Sequence, residues 1–358
     1  MAHFEGIIPA VTTPFDASGA VDEAALERNV SAYLDAGVHG IVANGTMGEA
    51  GSLSAEERRT VVAAIARATG GRVPLIAGVS AGTPSAAIAL AADAAEAGAT
   101  ALMMLPPLGY HGDAREVGAF YRAVAEAGGL PLMAYNNPAA SGSDMPPALI
   151  AALGEEIENV VAVKECSGDV RRIPAIIAAA PDLEVLVGGD DWALEGFCDG
   201  ATGWVTGVAD VVPADCVELY ERCRAGELDR ARAIYQRMLP LARFDMTPKL
   251  VQYFKGAMDE VGLVGGAVRP PRLELTGAER DDLAAALRAL HARVGGWRIA
   301  PDIAPWPRGS RIRSRRRSSI SARKCARRSS IVAPGIGPTP PVTTRVGIPS
   351  VWESTAAK

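Results

Sequence analysis

Eight short apolar runs, separated by stretches with apolar residues at helical spacing, constrain the fold of this chain more than any other sequence feature. The runs lie at residues 6–15, 40–45, 74–80, 101–107, 131–138, 160–167, 184–191 and 203–210. They are apolar at consecutive positions, as is typical of parallel strands buried on both faces. The alternation predicts an α/β fold, a (β/α)8 TIM barrel. A doubly wound open sheet is the alternative, but no G-x-G-x-x-G motif follows the first run.

The sequence pattern divides the chain into three parts. We expect the barrel to occupy residues 1–225, and a small C-terminal helical extension to occupy residues 226–295. In residues 296–358 the apolar period is lost and Arg, Ser and Pro become frequent. This composition predicts a disordered basic tail.

The charge of the chain is unevenly distributed. The whole chain carries −5, yet residues 297–358, with 13 basic and 2 acidic side chains, carry +11, which leaves −16 for residues 1–296. A basic tail could bind nucleic acid or another anionic surface, but no aromatic side chains alternate with its charges as a base-stacking surface requires. We therefore expect a solvated tail and no nucleic-acid partner. Translation of the tail in a different reading frame is a third alternative.

Cysteine and histidine usage argues against metal and disulfide chemistry. The five cysteines form no C-x-x-C pair, and none of the four histidines lies at ligand spacing from another. We expect reduced thiols and no metal site. No run of 18 apolar residues and no signal sequence is visible, which predicts a cytoplasmic protein without a membrane partner.

A lysine closes the sixth apolar run, where an unpaired ammonium would be costly to bury. We expect the apolar setting to lower the pKa of Lys164, so that its neutral amine can attack a carbonyl and form a Schiff base. The alternative is a lysine that extends to the barrel rim and pairs with Glu165 or Asp190.

Two further strand ends are expected beside Lys164, because the carboxyl ends of barrel strands face one site. Tyr135 closes the fifth strand, next to the sixth, so its phenol would be within reach of an imine on the lysine. Residues 45–48 form a glycine-bracketed turn whose N–H groups can hold a carboxylate, with the Thr46 hydroxyl as a donor. A tyrosine packed at the barrel mouth and an ordinary turn are the alternatives.

The combined motifs resemble the dihydrodipicolinate synthase and N-acetylneuraminate lyase superfamily of class I, Schiff-base lyases, over residues 6–290. The motifs are PAVTTPF (9–15), NGTMGE (44–49), YNNP (135–138), VKECSGD (163–169) and GGDD (188–191). The resemblance implies a barrel without metal or organic cofactor that forms a homo-oligomer, either a tetramer or a dimer.

The resemblance also implies roles for individual residues. Lys164 would form an imine with pyruvate or another 2-oxo acid, Tyr135 would act as general acid and base, and Thr46 would relay protons. The implied substrate-binding positions are Thr46, Met47, Gly189, Val205 and Pro9.

Three departures from the family pattern influence the expected substrate. Met47 stands where many members have a second hydroxyl, Ala140 stands where the synthase carries an arginine, and Tyr110 is displaced from the position of the interface tyrosine. We expect a lyase that eliminates water or ammonia, of the 1-pyrroline-4-hydroxy-2-carboxylate deaminase type. The alternatives are a 4-hydroxy-tetrahydrodipicolinate synthase, a pyruvate-dependent aldolase and a non-catalytic sensor of 2-oxo acids.

Overall fold

Eight parallel strands form the centre of the computed structural model, which describes residues 4–291. The strands are β1 (Gly6–Pro9), β2 (Ile41–Ala43), β3 (Leu75–Gly78), β4 (Ala101–Met104), β5 (Leu132–Asn136), β6 (Val160–Glu165), β7 (Glu184–Val187) and β8 (Gly203–Thr206). Consecutive strands from β2 to β8 are neighbours, and β8 pairs with β1. A parallel bridge between Ala10 and Val42 closes the ring. The predicted (β/α)8 barrel is confirmed.

Helices follow the strands around the outside of the barrel. They are α1 (Glu23–Asp35), α2 (Ala55–Thr69), α3 (Pro84–Glu96), α4 (Ala114–Gly128), α5 (Pro138–Ser141), α6 (Pro147–Glu156), α7 (Arg172–Ala179), α8 (Ala193–Cys198), α9 (Pro213–Arg224), α10 (Leu228–Ala242), α11 (Leu250–Glu260) and α12 (Gly277–His291). The local sequence explains where α2 begins. The Ser54 hydroxyl accepts a hydrogen bond from the Glu57 N–H, and the Glu57 carboxylate accepts one from the Ser54 N–H. This capping box satisfies two N–H groups that the helix itself leaves unpaired.

Tertiary contacts fix the ends of β7 and β8 relative to each other. Trp204 in β8 is fully buried, and its indole N–H donates to Asp190 Oδ1 at 2.9 Å. The other oxygen of Asp190 accepts from the N–H groups of Gly207 and Val208, each at 3.2 Å. One buried carboxylate therefore satisfies the polar groups that appear where β8 ends.

The chain continues beyond β8 through helices α9 to α12, in agreement with the helical stretches predicted there. A short 3₁₀ turn, Arg243–Met246, connects α10 to α11. The division of barrel from extension at residue 225 stays a prediction, and the predicted tail at 296–358 lies outside the described residues. Among residues 4–291, no helix combines the length and the apolar character needed to cross a bilayer.

Candidate active site

Lys164 and Tyr135 lie side by side at the carboxyl ends of adjacent strands. They are direct partners in the β5–β6 register, and the Lys164 ammonium nitrogen is 4.5 Å from the centre of the Tyr135 ring. Only 7% of the lysine and 5% of the tyrosine is exposed. The placement follows from the register, because paired residues on parallel strands point to the same side of the sheet.

A cavity of about 410 Å³ opens above this pair. Its walls include five of the residues singled out from the sequence: Thr46, Met47, Tyr135, Lys164 and Val205. The strand ends thus bring together side chains that are more than 150 residues apart in the chain. A volume of this size suits a small organic acid.

Two of the expected substrate-binding residues do not themselves line this cavity. Ala10 and Gly188 line the cavity, whereas Pro9 and Gly189 do not. Successive side chains of a strand point to opposite sides, so a shift of one residue at the end of β1 reverses the direction. Gly189 packs against the indole of Trp192 instead. The substrate contacts expected for Pro9 and Gly189 stay a prediction, and their chain neighbours Ala10 and Gly188 are the residues that line the cavity.

In the described part of the chain, the glycine-bracketed turn at residues 45–48 leaves two backbone N–H groups free to donate hydrogen bonds. Its backbone is tight, because a Cβ atom at Gly48 would lie 3.1 Å from the Val11 carbonyl oxygen. The Thr13 hydroxyl donates to the Gly48 carbonyl oxygen at 2.8 Å. Within residues 4–291, the N–H groups of Thr46 and Met47 have no hydrogen-bond acceptor. These N–H groups at the cavity wall are available to an anion.

The expected lowering of the Lys164 pKa is wrong. Burial lowers the pKa of Lys164, but four neighbouring acidic groups favour the ammonium form, and the net direction is upward. In decreasing order of effect, these groups are Tyr135, Cys166, Asp245 and Asp190. The sequence prediction considered only the apolar run and missed these neighbouring groups. The upward direction favours the ammonium form of Lys164.

The Tyr135 hydroxyl is a neutral phenol at physiological pH. Burial raises the pKa of Tyr135 to about 12, although the nearby lysine partly opposes the shift. The Asn137 side-chain amide donates to the tyrosine oxygen at 2.8 Å, which orients the hydroxyl. A neutral phenol in this position can donate a proton to a reacting oxygen.

The alternative ion-pair partners of the lysine at the end of β6 are engaged in other contacts. Glu165 is fully buried and accepts hydrogen bonds from the Asn136 amide at 2.9 Å and the Ser167 N–H at 2.7 Å. Asp190 accepts from Trp204 and from the backbone after β8. These hydrogen bonds fix strand ends, and they leave the lysine facing the cavity.

Sequence reasoning missed Asp245, which also lines the cavity. It lies in the turn Arg243–Met246, and its Oδ2 accepts a hydrogen bond from the Asp190 N–H at 3.3 Å. Burial raises the pKa of Asp245 to about 6, although Lys164 lowers it in part. In the sequence, Asp245 is visible only as an acidic residue in a short polar segment between two amphipathic stretches. Such a segment does not indicate which strand ends it approaches in the fold.

The structure also places two residues at which the sequence departs from the family pattern, Ala140 and Tyr110. Ala140 lines the cavity, and Lys164 is the only basic side chain that does so among residues 4–291. Tyr110 is 53% exposed, and its hydroxyl donates to Glu116 Oε1 at 3.0 Å. The tyrosine is thus held by the first turn of α4, away from the cavity.

A larger cavity of about 980 Å³ lies between α11 and α12. Its walls combine apolar side chains such as Leu283 with charged ones such as Asp259 and Arg280. It lies away from the carboxyl ends of the strands and contains no counterpart of the Lys164–Tyr135 pair. Volume alone therefore does not identify the site.

The closed barrel and the cavity with its buried lysine and tyrosine define a class I lyase, an enzyme that works through a Schiff base. A sequence model of the Dihydrodipicolinate synthetase family matches residues 3–290, and the chain belongs to this family. A 4-hydroxy-tetrahydrodipicolinate synthase from Methanopyrus kandleri is 35% identical over 82% of this chain and 97% of its own length.

Two further relatives support the assignment. An uncharacterized DapA-like lyase from Halobacterium salinarum is 35% identical over 78% of this chain and 91% of its own length. The crystal structure of YagE, an Escherichia coli K12 prophage protein of the dihydrodipicolinic acid synthase family in complex with pyruvate, superimposes with a TM-score of 0.77. It has 27% identity and covers 81% of this chain and 99% of YagE. None of the relatives named here is called a deaminase.

Proposed function

We propose that the chain forms a Schiff base between Lys164 and the keto carbon of pyruvate or a related 2-oxo acid. The observation that carries this proposal is the position of the lysine nitrogen, 4.5 Å from the Tyr135 ring at the wall of a cavity of about 410 Å³. The family match supports the same chemistry, and so does the pyruvate in the YagE complex.

Imine formation requires several proton transfers that the site can support. The Lys164 ammonium first loses a proton to water in the open cavity, and the free amine then attacks the keto carbon; proton transfer from nitrogen to oxygen gives a neutral carbinolamine. Tyr135 donates its phenolic proton to the carbinolamine oxygen, which leaves as water. The resulting tyrosinate lies beside the cationic imine and accepts the hydrogen bond from Asn137.

The cationic imine draws electrons from the adjacent carbon, so a bond to that carbon can form or break at neutral pH. Tyr135 exchanges a proton with the reacting group in this second stage. The N–H groups of Thr46 and Met47 hold the substrate carboxylate, with the Thr46 hydroxyl as an additional donor. This arrangement fixes the keto carbon over the lysine.

Carbon–carbon bond formation or cleavage is the first candidate for that second stage. One relative with a named activity is a 4-hydroxy-tetrahydrodipicolinate synthase. Pyruvate-dependent aldol chemistry can use the same imine. Elimination of water or ammonia, of the 1-pyrroline-4-hydroxy-2-carboxylate deaminase type, is the second candidate. One observation favours elimination. Ala140 lines the cavity at the position where the synthase pattern has an arginine, so no guanidinium is present there to bind a second carboxylate.

Reductive trapping tests the Schiff base directly. Incubation with pyruvate and cyanoborohydride, followed by peptide mass spectrometry, is expected to find a covalent adduct on Lys164. Lys255 is the internal control, because it is more deeply buried but pairs with Glu49 outside the cavity. An unmodified Lys164 under saturating pyruvate and other 2-oxo acids would contradict the proposal.

A product assay separates the candidate reactions. The enzyme is supplied with pyruvate and aspartate semialdehyde, and separately with hydroxylated 2-oxo acids and pyrroline carboxylates. Condensation consumes pyruvate, aldol cleavage releases it, and elimination releases water or ammonia without a change in carbon number. Ammonia or water loss without pyruvate turnover would favour the second candidate.

Self-association is a further part of the proposal, based on the family resemblance. Leu108 and Tyr110, in the loop after β4, are 37% and 53% exposed, and apolar side chains of this kind are common in interfaces. We expect a tetramer or a dimer by light scattering, and a monomer at all accessible concentrations would contradict it.

A further inference from the structure

Asp245 is placed at the cavity by a segment that comes from outside the strand-end loops. The segment from Asp245 to Pro248 contributes four consecutive residues to the cavity wall. The Thr247 N–H and hydroxyl hold the Phe244 carbonyl oxygen at 3.1 and 2.8 Å, and the Phe244 ring stacks on Tyr253 at 3.9 Å between centroids. These contacts therefore hold the turn that positions the Asp245 carboxylate.

The two carboxylate oxygens of Asp245 differ in their contacts. Oδ2 accepts the hydrogen bond from the Asp190 N–H. Oδ1 has no hydrogen-bond partner among residues 4–291, and it is not among the fully buried unpaired atoms. One oxygen thus orients the side chain while the other remains available to a group in the cavity.

The charges at the cavity also constrain what can bind beside Asp245. Among the residues that the structure describes, Lys164 is the only basic side chain in the cavity wall. In the proposed reaction, this lysine is bonded to the keto carbon. A second carboxylate on the substrate would then face Asp245 with no cation to compensate it. A hydroxyl or an ammonium would instead donate a hydrogen bond to the free oxygen.

We infer that Asp245 is a specificity-determining residue, which accepts a hydrogen bond from a hydroxyl or ammonium on the distal part of the substrate and excludes a distal carboxylate. This inference rests on the Schiff base proposed at Lys164. It gives the substrate class as 2-oxo acids that carry one carboxylate and a distal hydrogen-bond donor.

Two acids of equal carbon number provide the test. 4,5-Dihydroxy-2-oxopentanoate ends in a hydroxymethyl group, and 4-hydroxy-2-oxopentanedioate ends in a carboxylate. Each competes with isotopically labelled pyruvate for reductive trapping on Lys164, and the readout is the concentration that halves the labelled adduct. The wild-type protein should require about 10- to 100-fold less of the hydroxymethyl acid, the usual worth of a hydrogen bond to a charged group.

Two variants test whether this preference depends on the Asp245 carboxylate. Asp245→Asn keeps the shape but removes the charge, and it should reduce the preference by about tenfold or more. Asp191→Asn is the matched control, since Asp191 is a nearby acid that does not line the cavity, and it should leave the preference unchanged. Asp245→Ser provides a second test if the asparagine variant is poorly folded.

Distinct outcomes separate the two proposals. A labelled adduct on Lys164 with an unchanged preference in Asp245→Asn overturns the role of Asp245 and leaves the Schiff base intact. A wild-type protein that prefers the terminal carboxylate also overturns it, without reference to any variant. Absence of the pyruvate adduct in the wild-type protein instead refutes the proposed function.

Discussion

Replacement of Lys255 by methionine tests how much a buried ion pair beside the turn at residues 45–48 stabilises the fold. Lys255 lies in α11 and is 1% exposed, and its ammonium nitrogen is 2.7 Å from Oε1 of the fully buried Glu49. Glu49 directly follows the turn and has φ +53°, a left-handed conformation that is unfavourable for a residue with a side chain. Loss of the ammonium would therefore act on the strained residue that directly follows the turn.

The expected cost can be worked out from these contacts. Two charges 2.7 Å apart attract by roughly 6 kcal/mol at an effective dielectric constant of about 20, and desolvation offsets much of this. Removal of one partner of a buried pair typically costs about 3–5 kcal/mol. Glu49 would retain Arg272 at 3.6 Å and the Arg269 N–H at 3.0 Å. We therefore expect the lower end, a loss of about 3 kcal/mol in the free energy of unfolding.

Denaturant unfolding of matched variants measures this loss. Lys249→Met is the control, because Lys249 forms a more exposed ion pair with Glu279, and its removal should cost at most about 1 kcal/mol. The double variant Glu49→Gln with Lys255→Met should recover part of the stability, since it buries no unpaired charge. Equal stability of Lys255→Met and Lys249→Met would refute the reasoning.

Three further predictions concern the reaction. Tyr135→Phe should lower turnover by about 10²- to 10⁴-fold, as measured by steady-state kinetics, because it removes the proton donor; near wild-type turnover would exclude that role. Pyruvate trapping on Lys164 should accelerate as the pH rises from 7 to about 10, since the pKa of the lysine is raised and only the neutral amine attacks; a flat profile would contradict the upward direction. Ala140→Arg should increase trapping of the acid with a terminal carboxylate relative to the hydroxymethyl acid, and an unchanged ratio would place that end of the substrate elsewhere.

The strands were predictable because each leaves a local signal. A strand buried on both faces must be apolar at consecutive positions, and in a parallel barrel the neighbours of β6 in the chain are also its neighbours in space. The proximity of Lys164 and Tyr135 follows from that rule alone. The contacts of Pro9 and Gly189 were less predictable, because apolar runs define a strand end only to within a residue, which is enough to reverse the direction of a side chain.

Other features of the site depend on contacts that no local pattern encodes. Asp245 lies almost 40 residues beyond the end of β8, and only the packing of α10 and α11 returns it to the cavity. Distant segments explain only part of the error in the pKa of Lys164, because the two groups that raise this pKa most, Tyr135 and Cys166, lie on the adjacent strand and two residues away in the chain. The apolar strand of Lys164 predicts a lowered value, whereas the groups that raise the value include Asp190 and Asp245 on other segments.

The charge balance of the cavity connects these observations. Before the reaction, the Lys164 ammonium faces the Asp245 carboxylate, and after imine formation the nitrogen still carries one positive charge. In the proposed reaction, Asp245 therefore faces a cation both before the ammonium loses its proton and after the imine has formed, while the N–H groups of the turn at residues 45–48 would hold the substrate carboxylate. A second substrate carboxylate would be the one charge without a partner in a cavity of about 410 Å³. Because an uncompensated charge is costly in such surroundings, we expect substrates with a single carboxylate to bind in preference to substrates with two.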